Sequence, residues 1–363
     1  MAVPLFDTRA PLLALRPQLE AAMRAVLDSG RFILGPEVAA FEQEFAAYCG
    51  ASACVGVANG TEALTIALRA MGVGPGDDVV VPSFTFYATA EAVPPTGARP
   101  VFCDIDVETG CMTASTVLAA LTPATKAVVV VHLFGNVAPV AEIEALGVPV
   151  LEDAAQAVGS LAQTGRPGTL STAATFSFFP SKNLGCFGDG GAILTSDDGL
   201  AQRARMLRFH GSKDKVTYEQ VGYNSRLDEL QAAILRVQLP HVDGWSDGRR
   251  TAARAYEDAG LSELVAPLRV AAVGARPAWH LYVVRHEGAD ALAAGLGERG
   301  VGCRAYYRVP VHRQPAMAPF RAAELPATDE LARTHLALPM SPLLSTQQAR
   351  EVVAAVREVL TAP

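Results

Sequence analysis

The run Lys126–Leu133, K-A-V-V-V-V-H-L, holds an unbroken apolar stretch from Ala127 to Val131. A strand with one wet face alternates apolar and polar residues, so a strand of this kind must be covered on both faces. Neighbouring runs repeat the constraint: Asp78–Pro82 (D-V-V-V-P), Arg99–Ile105 (R-P-V-F-C-D-I) and Pro149–Asp153 (P-V-L-E-D), with Val55–Ala58 ahead of them. Between and before these runs, apolar residues fall at helical spacing over Leu19–Leu27, Glu37–Tyr48, Asn59–Met71, Ser83–Ala92, Thr113–Leu121 and Val140–Leu146. Strands alternating with helices predict an α/β fold, with a mostly parallel central sheet sandwiched between helical layers.

After Leu170 the strands shorten, to Ala174–Phe179 and Gly191–Thr195, and helices follow over Leu200–Phe209 and Leu227–Gln238. From about Trp245 the pattern is that of a smaller α/β domain, with a helical tract over 251–259 and W-H-L-Y-V-V-R, Trp279–Arg285, as its clearest strand. The expected division is a large domain over 1–244 and a small C-terminal one over 245–363. A net charge of -7, with Arg249–Arg250 as the longest notable basic cluster, argues against a nucleic-acid partner. No apolar stretch approaches the roughly 18 residues of a membrane span. The six cysteines form no C-x-x-C pair, which argues against zinc or iron–sulfur sites. Together with an N-terminus that lacks a leader pattern, they point to a reduced, cytoplasmic enzyme.

Three features could carry chemistry. In N-G-T-E-A-L, Asn59–Leu64, a strand gives way to a helix at Gly60 and Thr61. Free N–H groups there suit a phosphate, although taken alone the motif favours Asn59 or Thr61 as a plain helix cap. Asp153 closes a buried strand, on the edge where such sheets bind ligands, and is either a helix cap or the partner of a cationic ring nitrogen. Gln156 follows three residues later. Lys182 stands alone in F-F-P-S-K-N-L-G, Phe178–Gly185, after an apolar strand and Pro180. It is either a solvated surface lysine or a buried amine held for Schiff-base chemistry. Phosphate cradle, strand-end carboxylate and later lysine are the parts that pyridoxal phosphate requires. A nicotinamide-binding G-x-G-x-x-G is missing after the first strand, where G-V-A-N-G-T stands instead.

In their order along the chain these segments resemble the DegT/DnrJ/EryC1/StrS family, pyridoxal-phosphate sugar aminotransferases of fold type I, the aspartate-aminotransferase-like fold. Further motifs carry the resemblance: R-F-I-L-G-P-E-V from Arg31, P-S-F-T-F-Y-A-T-A from Pro82, H-L-F-G-N from His132, E-D-A-A-Q-A-V-G from Glu152, G-D-G-G-A from Gly188, Y-N-S-R-L-D-E-L-Q-A-A from Tyr223 and Y-Y-R-V-P-V-H from Tyr306. The resemblance implies that Lys182 forms the Schiff base with the cofactor and later moves the proton. It implies that Asp153 pairs with the pyridine nitrogen, Gln156 meets the phenolic oxygen, and Phe86 stacks on the ring. Gly60, Thr61 and Ser177 would hold the phosphate. Asn224 would reach the phosphate of a neighbouring subunit's cofactor, which implies a homodimer with shared sites. Arg208, His210, Lys213, Tyr307, His312 and Arg313 are candidates for the substrate.

The implied reaction moves an amino group from L-glutamate to a keto group on a nucleotide-linked sugar. The favoured acceptor is dTDP-4-keto-6-deoxyglucose, with a 3-keto sugar nucleotide or a keto-cyclitol as alternatives. A pyridoxal-phosphate-binding regulator without turnover is the reading from another class. Lys182 argues against the branch that carries histidine there and dehydrates sugars. Two departures from the family's pattern, F-P-S-K before and at the lysine and Asn136 in H-L-F-G-N, are expected to bear on the sugar accepted.

Overall fold

The structure is a computed structural model that describes residues 2–320 and 324–362. Seven strands form its main sheet: β1 Ala53–Val57, β2 Asp78–Pro82, β3 Arg99–Cys103, β4 Thr125–Val131, β5 Val150–Asp153, β6 Ala173–Ser177 and β7 Gly191–Thr195. Their order is β1-β7-β6-β5-β4-β2-β3. Strands β3, β2, β4, β5 and β6 pair in parallel, while β7 runs antiparallel to both its neighbours.

Alternate residues of each strand feed opposite cores, which is why the strands read as continuous apolar runs. Val79, Val81, Ala127 and Val129 join the core beneath the helices Gly60–Ala70 and Asp198–Leu207. Val80, Val128 and Val130 face the other way, against Leu281, Val283 and Leu331 of the C-terminal part. At the β6–β7 end that second face is filled by Phe41, Phe45, Phe176 and Phe178. Phe45 meets Phe176 and Phe178 edge-on, at centroid separations of 5.0 and 5.3 Å.

The C-terminal part adds a three-stranded antiparallel sheet, β8 Ala266–Pro267, β9 Tyr282–Arg285 and β10 His335–Leu338, in the order β10-β9-β8. Residue 244, the expected end of the large domain, lies inside the continuous helix Val242–Asp258, so that helix joins the two parts. Two sequence expectations are corrected. Helix over Ser83–Ala92 shrinks to Ala88–Glu91, because Ser83–Phe86 leaves β2 as a loop with Thr85 hydrogen-bonded to Thr89. The strand expected from Trp279 begins only at Tyr282, because Trp279 takes a left-handed φ of 45° that no strand accommodates. No helix among the described residues is long and apolar enough to cross a membrane.

Two motifs distant in sequence are joined by one carboxylate. Glu229 accepts from the N–H groups of Gly35 and Val38 through Oε1 and from Glu37 through Oε2, capping the helix Pro36–Cys49. A second buried carboxylate, Glu152 on β5, accepts from the N–H groups of Gly168, Leu170 and Ser171 and from the His132 ring at 2.8 Å. The Ala138 N–H donates to His132 Nδ1, so the ring proton sits on Nε2 and is donated to Glu152. Removing a partner from such a buried network leaves its donors without acceptors. Glu152→Ala is therefore expected to cost about 4 kcal/mol of stability, read from the urea midpoint of the cofactor-free protein. A midpoint shift equivalent to under about 1 kcal/mol would contradict this account of the network.

Candidate active site

The carboxyl ends of β2, β4, β5 and β6 converge on one edge of the sheet, where doubly wound sheets place their ligands. Successive residues of β5 point to opposite faces. Glu152 thus serves the rear network, while the next residue, Asp153, enters the site side. Asp153 Oδ2 accepts from Thr89 Oγ1 at 2.8 Å and Oδ1 from the Ala155 N–H at 3.2 Å. Burial pushes its pKa up, against the opposing pull of those two donors, Lys182 and His132. A carboxylate poised this way readily shares a proton with a basic ring nitrogen.

Lys182 is placed by the end of β6. Phe179-Pro180-Ser181-Lys182 forms a turn closed by the Lys182 N–H on the Phe179 carbonyl at 2.8 Å, with proline at the second position, where its fixed φ suits the turn. The lysine keeps some solvent contact along its length, but protein crowds its charge. That desolvation lowers its pKa to about 8, although Asp153 pulls it back up. Neutral, nucleophilic amine is therefore accessible near neutral pH.

The turn expected to hold a phosphate opens a helix, as its residues predict. Asn59 caps the helix Gly60–Ala70 through the Glu62 N–H at 2.9 Å, and Gly60 and Thr61 occupy its first turn, whose N–H groups lack helical acceptors. The cap reading thus holds for Asn59, and the cap leaves the first-turn N–H groups of Gly60 and Thr61 free of helical acceptors. A Cβ on Gly60 would lie 2.8 Å from Ser177 Cβ, so glycine allows the helix start to close on Ser177. Phe86 is 59% exposed, with an aromatic ring open for stacking. Gln156 Oε1 accepts from the Phe134 N–H at 2.6 Å, and its Nε2 donates to Tyr307 Oη at 3.2 Å. Phe134 stacks on Tyr307 with centroids 5.8 Å apart.

Other candidates fall elsewhere. Arg208 is buried and bonded to Glu42 and to the Gly56 carbonyl, so it braces β1 instead of facing a substrate. Asn136 is likewise corrected: its amide bonds the carbonyls of Thr109 and Arg269 and the Ala271 N–H, strapping a loop instead of reading a sugar. His210 is exposed with a left-handed φ of 60°, and Lys213 pairs with Glu219 on the surface. His312 bonds Ser83 at the end of β2, with Arg313 beside it paired to Asp329. Asn224 is exposed and lines a cavity of about 480 Å³ with Ile33, Ala58, Gly188 and Arg226. Thr89, Asn183 and His280 belong to the site region, although sequence reasoning gave them no role. Thr89 falls within P-S-F-T-F-Y-A-T-A, Pro82–Ala90, whereas nothing local marks His280.

The family model for the DegT/DnrJ/EryC1/StrS aminotransferase family matches residues 14–357. The chain is 47% identical over 363 residues to a dTDP-3-amino-3,4,6-trideoxy-alpha-D-glucose transaminase of Streptomyces venezuelae, covering 98% of this chain and 96% of the relative. It is 44% identical to a pleiotropic regulatory protein of Geobacillus stearothermophilus, covering 99% and 98%. It is 42% identical to a UDP-N-acetyl-3-dehydro-alpha-D-glucosamine 3-aminotransferase of Acidithiobacillus ferrooxidans, covering 99% and 98%. Three further relatives, 39% to 41% identical, are also named for an amino or oxo group at C3. The fold superposes on the crystal structure of S. venezuelae DesV in complex with a ketimine intermediate, with a TM-score of 0.96, 44% identity and coverage of 100% and 99%.

The lowered pKa of Lys182 has a direct consequence. In cofactor-free protein, its rate of reaction with pyridoxal phosphate should rise about tenfold per pH unit below pH 8. It should level off above an inflection near 8. An inflection near the ordinary 10.5 would show that the amine is not desolvated.

Proposed function

This chain belongs to the DegT/DnrJ/EryC1/StrS aminotransferase family, and on that premise we propose that it aminates C3 of a dTDP-linked 3-keto-6-deoxyhexose with L-glutamate as donor. The family's cofactor is pyridoxal phosphate, and the residues present fit it. Gly60 leaves room that a Cβ would fill, Phe86 offers a free ring, and Asp153 and Lys182 supply the carboxylate and the amine. The observation that carries the reading is the placing of a desolvated lysine and a buried carboxylate on one sheet edge, within electrostatic reach of each other.

When bound, pyridoxal phosphate supplies an aldehyde that captures amines and a ring that withdraws electrons. Asp153 keeps a charge or a proton at the ring-nitrogen position, held in place by Thr89 and the Ala155 N–H. Lys182 Nζ would hold the aldehyde end of the bound cofactor. Freed by an incoming amine, Nζ would serve as base and acid, carrying the proton from the donor's α-carbon to the cofactor carbon that bore the aldehyde, and in the opposite sense with the keto sugar. A pKa near 8 suits both directions at cellular pH. Gly60, Thr61 and Ser177 anchor the phosphate, and Gln156, fixed by Phe134 and Tyr307, borders the ring. Tyr307 and His312 stay as candidates for the sugar, in a segment beside β2.

The keto carbon moves from the C4 favoured by sequence to C3 because the relatives' names favour C3. The regulator reading draws on one relative's name, and the tuned lysine weighs against it. A two-stage absorbance experiment separates these readings. Glutamate should convert the cofactor to its amine form. With the donor removed, dTDP-3-keto-6-deoxyglucose should restore the starting spectrum at least ~10²-fold faster than the 4-keto isomer. The reverse order would return the assignment to C4, and no response to glutamate would favour a regulator. Lys182→Ala should abolish both stages.

We also place Asn224 across a homodimer interface, at the phosphate of the partner's cofactor, because its exposed amide borders the cavity beside Ala58. Light scattering should give twice 38.0 kDa. Asn224→Ala should weaken cofactor binding about tenfold, the worth of one hydrogen bond to a charged group. An active monomer would exclude the shared site.

A further inference from the structure

A groove lies where the helix Val242–Asp258 meets β8, β9 and the loop between them. Its volume of about 690 Å³ is within the range of small-molecule sites. Five arginines line it, Arg250, Arg254, Arg269, Arg276 and Arg285, against one carboxylate, Glu257. The whole chain carries 30 basic and 37 acidic residues, so this local excess of positive charge runs against its composition. A cationic groove on an acidic chain concentrates anions. None of the residues given a role toward the cofactor or the sugar lines it.

The five guanidinium groups are unevenly compensated. Arg250 and Arg276 share Asp247, at 2.9 and 3.4 Å, and Arg269 pairs with Glu108 on exposed surface. Arg254 pairs with no carboxylate among the described residues, and its side chain donates from Nη2 to Thr251 Oγ1 at 3.0 Å. Arg285 is mostly buried and reaches Glu330 only at 3.6 Å, too far for a hydrogen bond, while its Nε is buried without a partner. Glu257, the carboxylate of the lining, is engaged by the Tyr282 hydroxyl at 2.6 Å. Exposed ion pairs contribute little, so Arg269 and Arg276 lose little by turning to a stronger acceptor.

Much of the remaining wall is apolar. Leu268, Val270, Ala275 and Pro277 line it together with Trp279, whose indole meets Tyr282 edge-on at a centroid separation of 5.4 Å. Trp279 is half-buried, so part of its ring stays open. Guanidinium groups bind phosphate oxygens in pairs, and an open indole stacks on a planar base. A bare anion would use the arginines alone, whereas the ring and the apolar wall fit a flat group attached to it. We propose that this groove binds a nucleoside diphosphate, with the arginines on the phosphates and Trp279 against the base, at a site separate from the one that holds the reacting lysine. The two sites are joined by the segment 277–280. Arg250 donates to the Pro277 carbonyl at 3.4 Å, and Trp279 precedes His280, whose Nδ1 lies 3.4 Å from Asn183 Oδ1, next to Lys182. The competing assignment is therefore that the groove holds the nucleotide of the sugar acceptor itself, and the test separates the two.

The test titrates the holoenzyme with dTDP and with ADP, using pyrophosphate as the control without a ring. The chain has two tryptophans, so Trp245→Phe leaves Trp279 as the reporter of the groove. The nucleotides should quench its emission, and calorimetry should count one equivalent per chain that depends on the arginines. Arg254→Ala combined with Arg269→Ala should raise the Kd of that equivalent roughly 30-fold, the range expected for lost hydrogen bonds between charged groups. Both side chains are exposed, so the double variant should fold. Its glutamate half-reaction and its kcat/KM for the keto sugar nucleotide should hold within a factor of about three. Pyrophosphate should bind about tenfold more weakly than the nucleotides and leave the emission unchanged. No quenching by either nucleotide, an isotherm unmoved by the double substitution, or pyrophosphate binding as tightly as the nucleotides would each overturn the assignment. So would a fall in kcat/KM for the keto sugar nucleotide that matches the lost binding, because the groove would then be the acceptor's own pocket. A wild-type enzyme that moves no amino group would overturn the aminotransfer reading alone, and the titration would still decide the groove.

Discussion

Glu152 is the constraint on which the site depends. Buried on β5, it binds three backbone N–H groups of the loop 168–171 and the His132 ring, so the ends of β4 and β5 are fixed to one another. His132 in turn bonds Ala138 through its ring and the Asp153 carbonyl through its backbone N–H at 3.1 Å. Strand alternation then sends the next side chain, Asp153, to the opposite face. One dipeptide thus supplies a framework carboxylate and a chemical one. Both are acidic residues in a buried strand, and only their donors tell them apart: backbone amides encircle Glu152, while Asp153 has one hydroxyl, one amide and a nearby cation.

Much of the fold was legible because both-face burial writes itself into sequence as uninterrupted apolar runs. Strands β2, β4 and β5 stand within a residue or two of their expected bounds. What misled was local strain. Nothing in W-H-L-Y-V-V-R reveals that Trp279 adopts φ 45°, because that angle is imposed by packing against Gly135 and by the bond from Arg249. The loop after β2 reads as helix by periodicity, but Thr85 and Thr89 bond each other and pass the bond on to Asp153. Hydroxyls that can bond one another compete with helical hydrogen bonding, and a tertiary acceptor decides the outcome.

The site was legible by residue type and order, and less so by partner. Lys182 and Asp153 were marked by being lone charged groups at strand ends, and the structure sets them on one edge. Arg208 looked the same in sequence, a charged residue near motif segments, yet Glu42 neutralises it. Arg249 looked like half of a basic doublet, yet it is buried with no counter-ion among the described residues, while its neighbour Arg250 has Asp247. Charge identity is written in the sequence. Whether a charge is compensated depends on contacts such as Arg208–Glu42, 166 residues apart.

This difference between compensated and uncompensated charge separates framework from function throughout the molecule. The carboxylate oxygens of Glu229 and Glu152 accept from N–H groups of the chain itself, so these residues hold elements together. Around Lys182 the balance is left open. The amine is desolvated, the imidazole of His280 is driven neutral, and Asp153 is raised by burial. Each of these costs stability relative to a solvated or paired state, and a fold retains such costs where ligand binding offsets them. The exposed rings of Phe86 and Phe179 and the pair Phe32–Ile33 follow the same logic for apolar surface. Large side chains left in water near the motif segments are surfaces awaiting contact, which on the proposed reading are supplied by the cofactor ring and a second subunit.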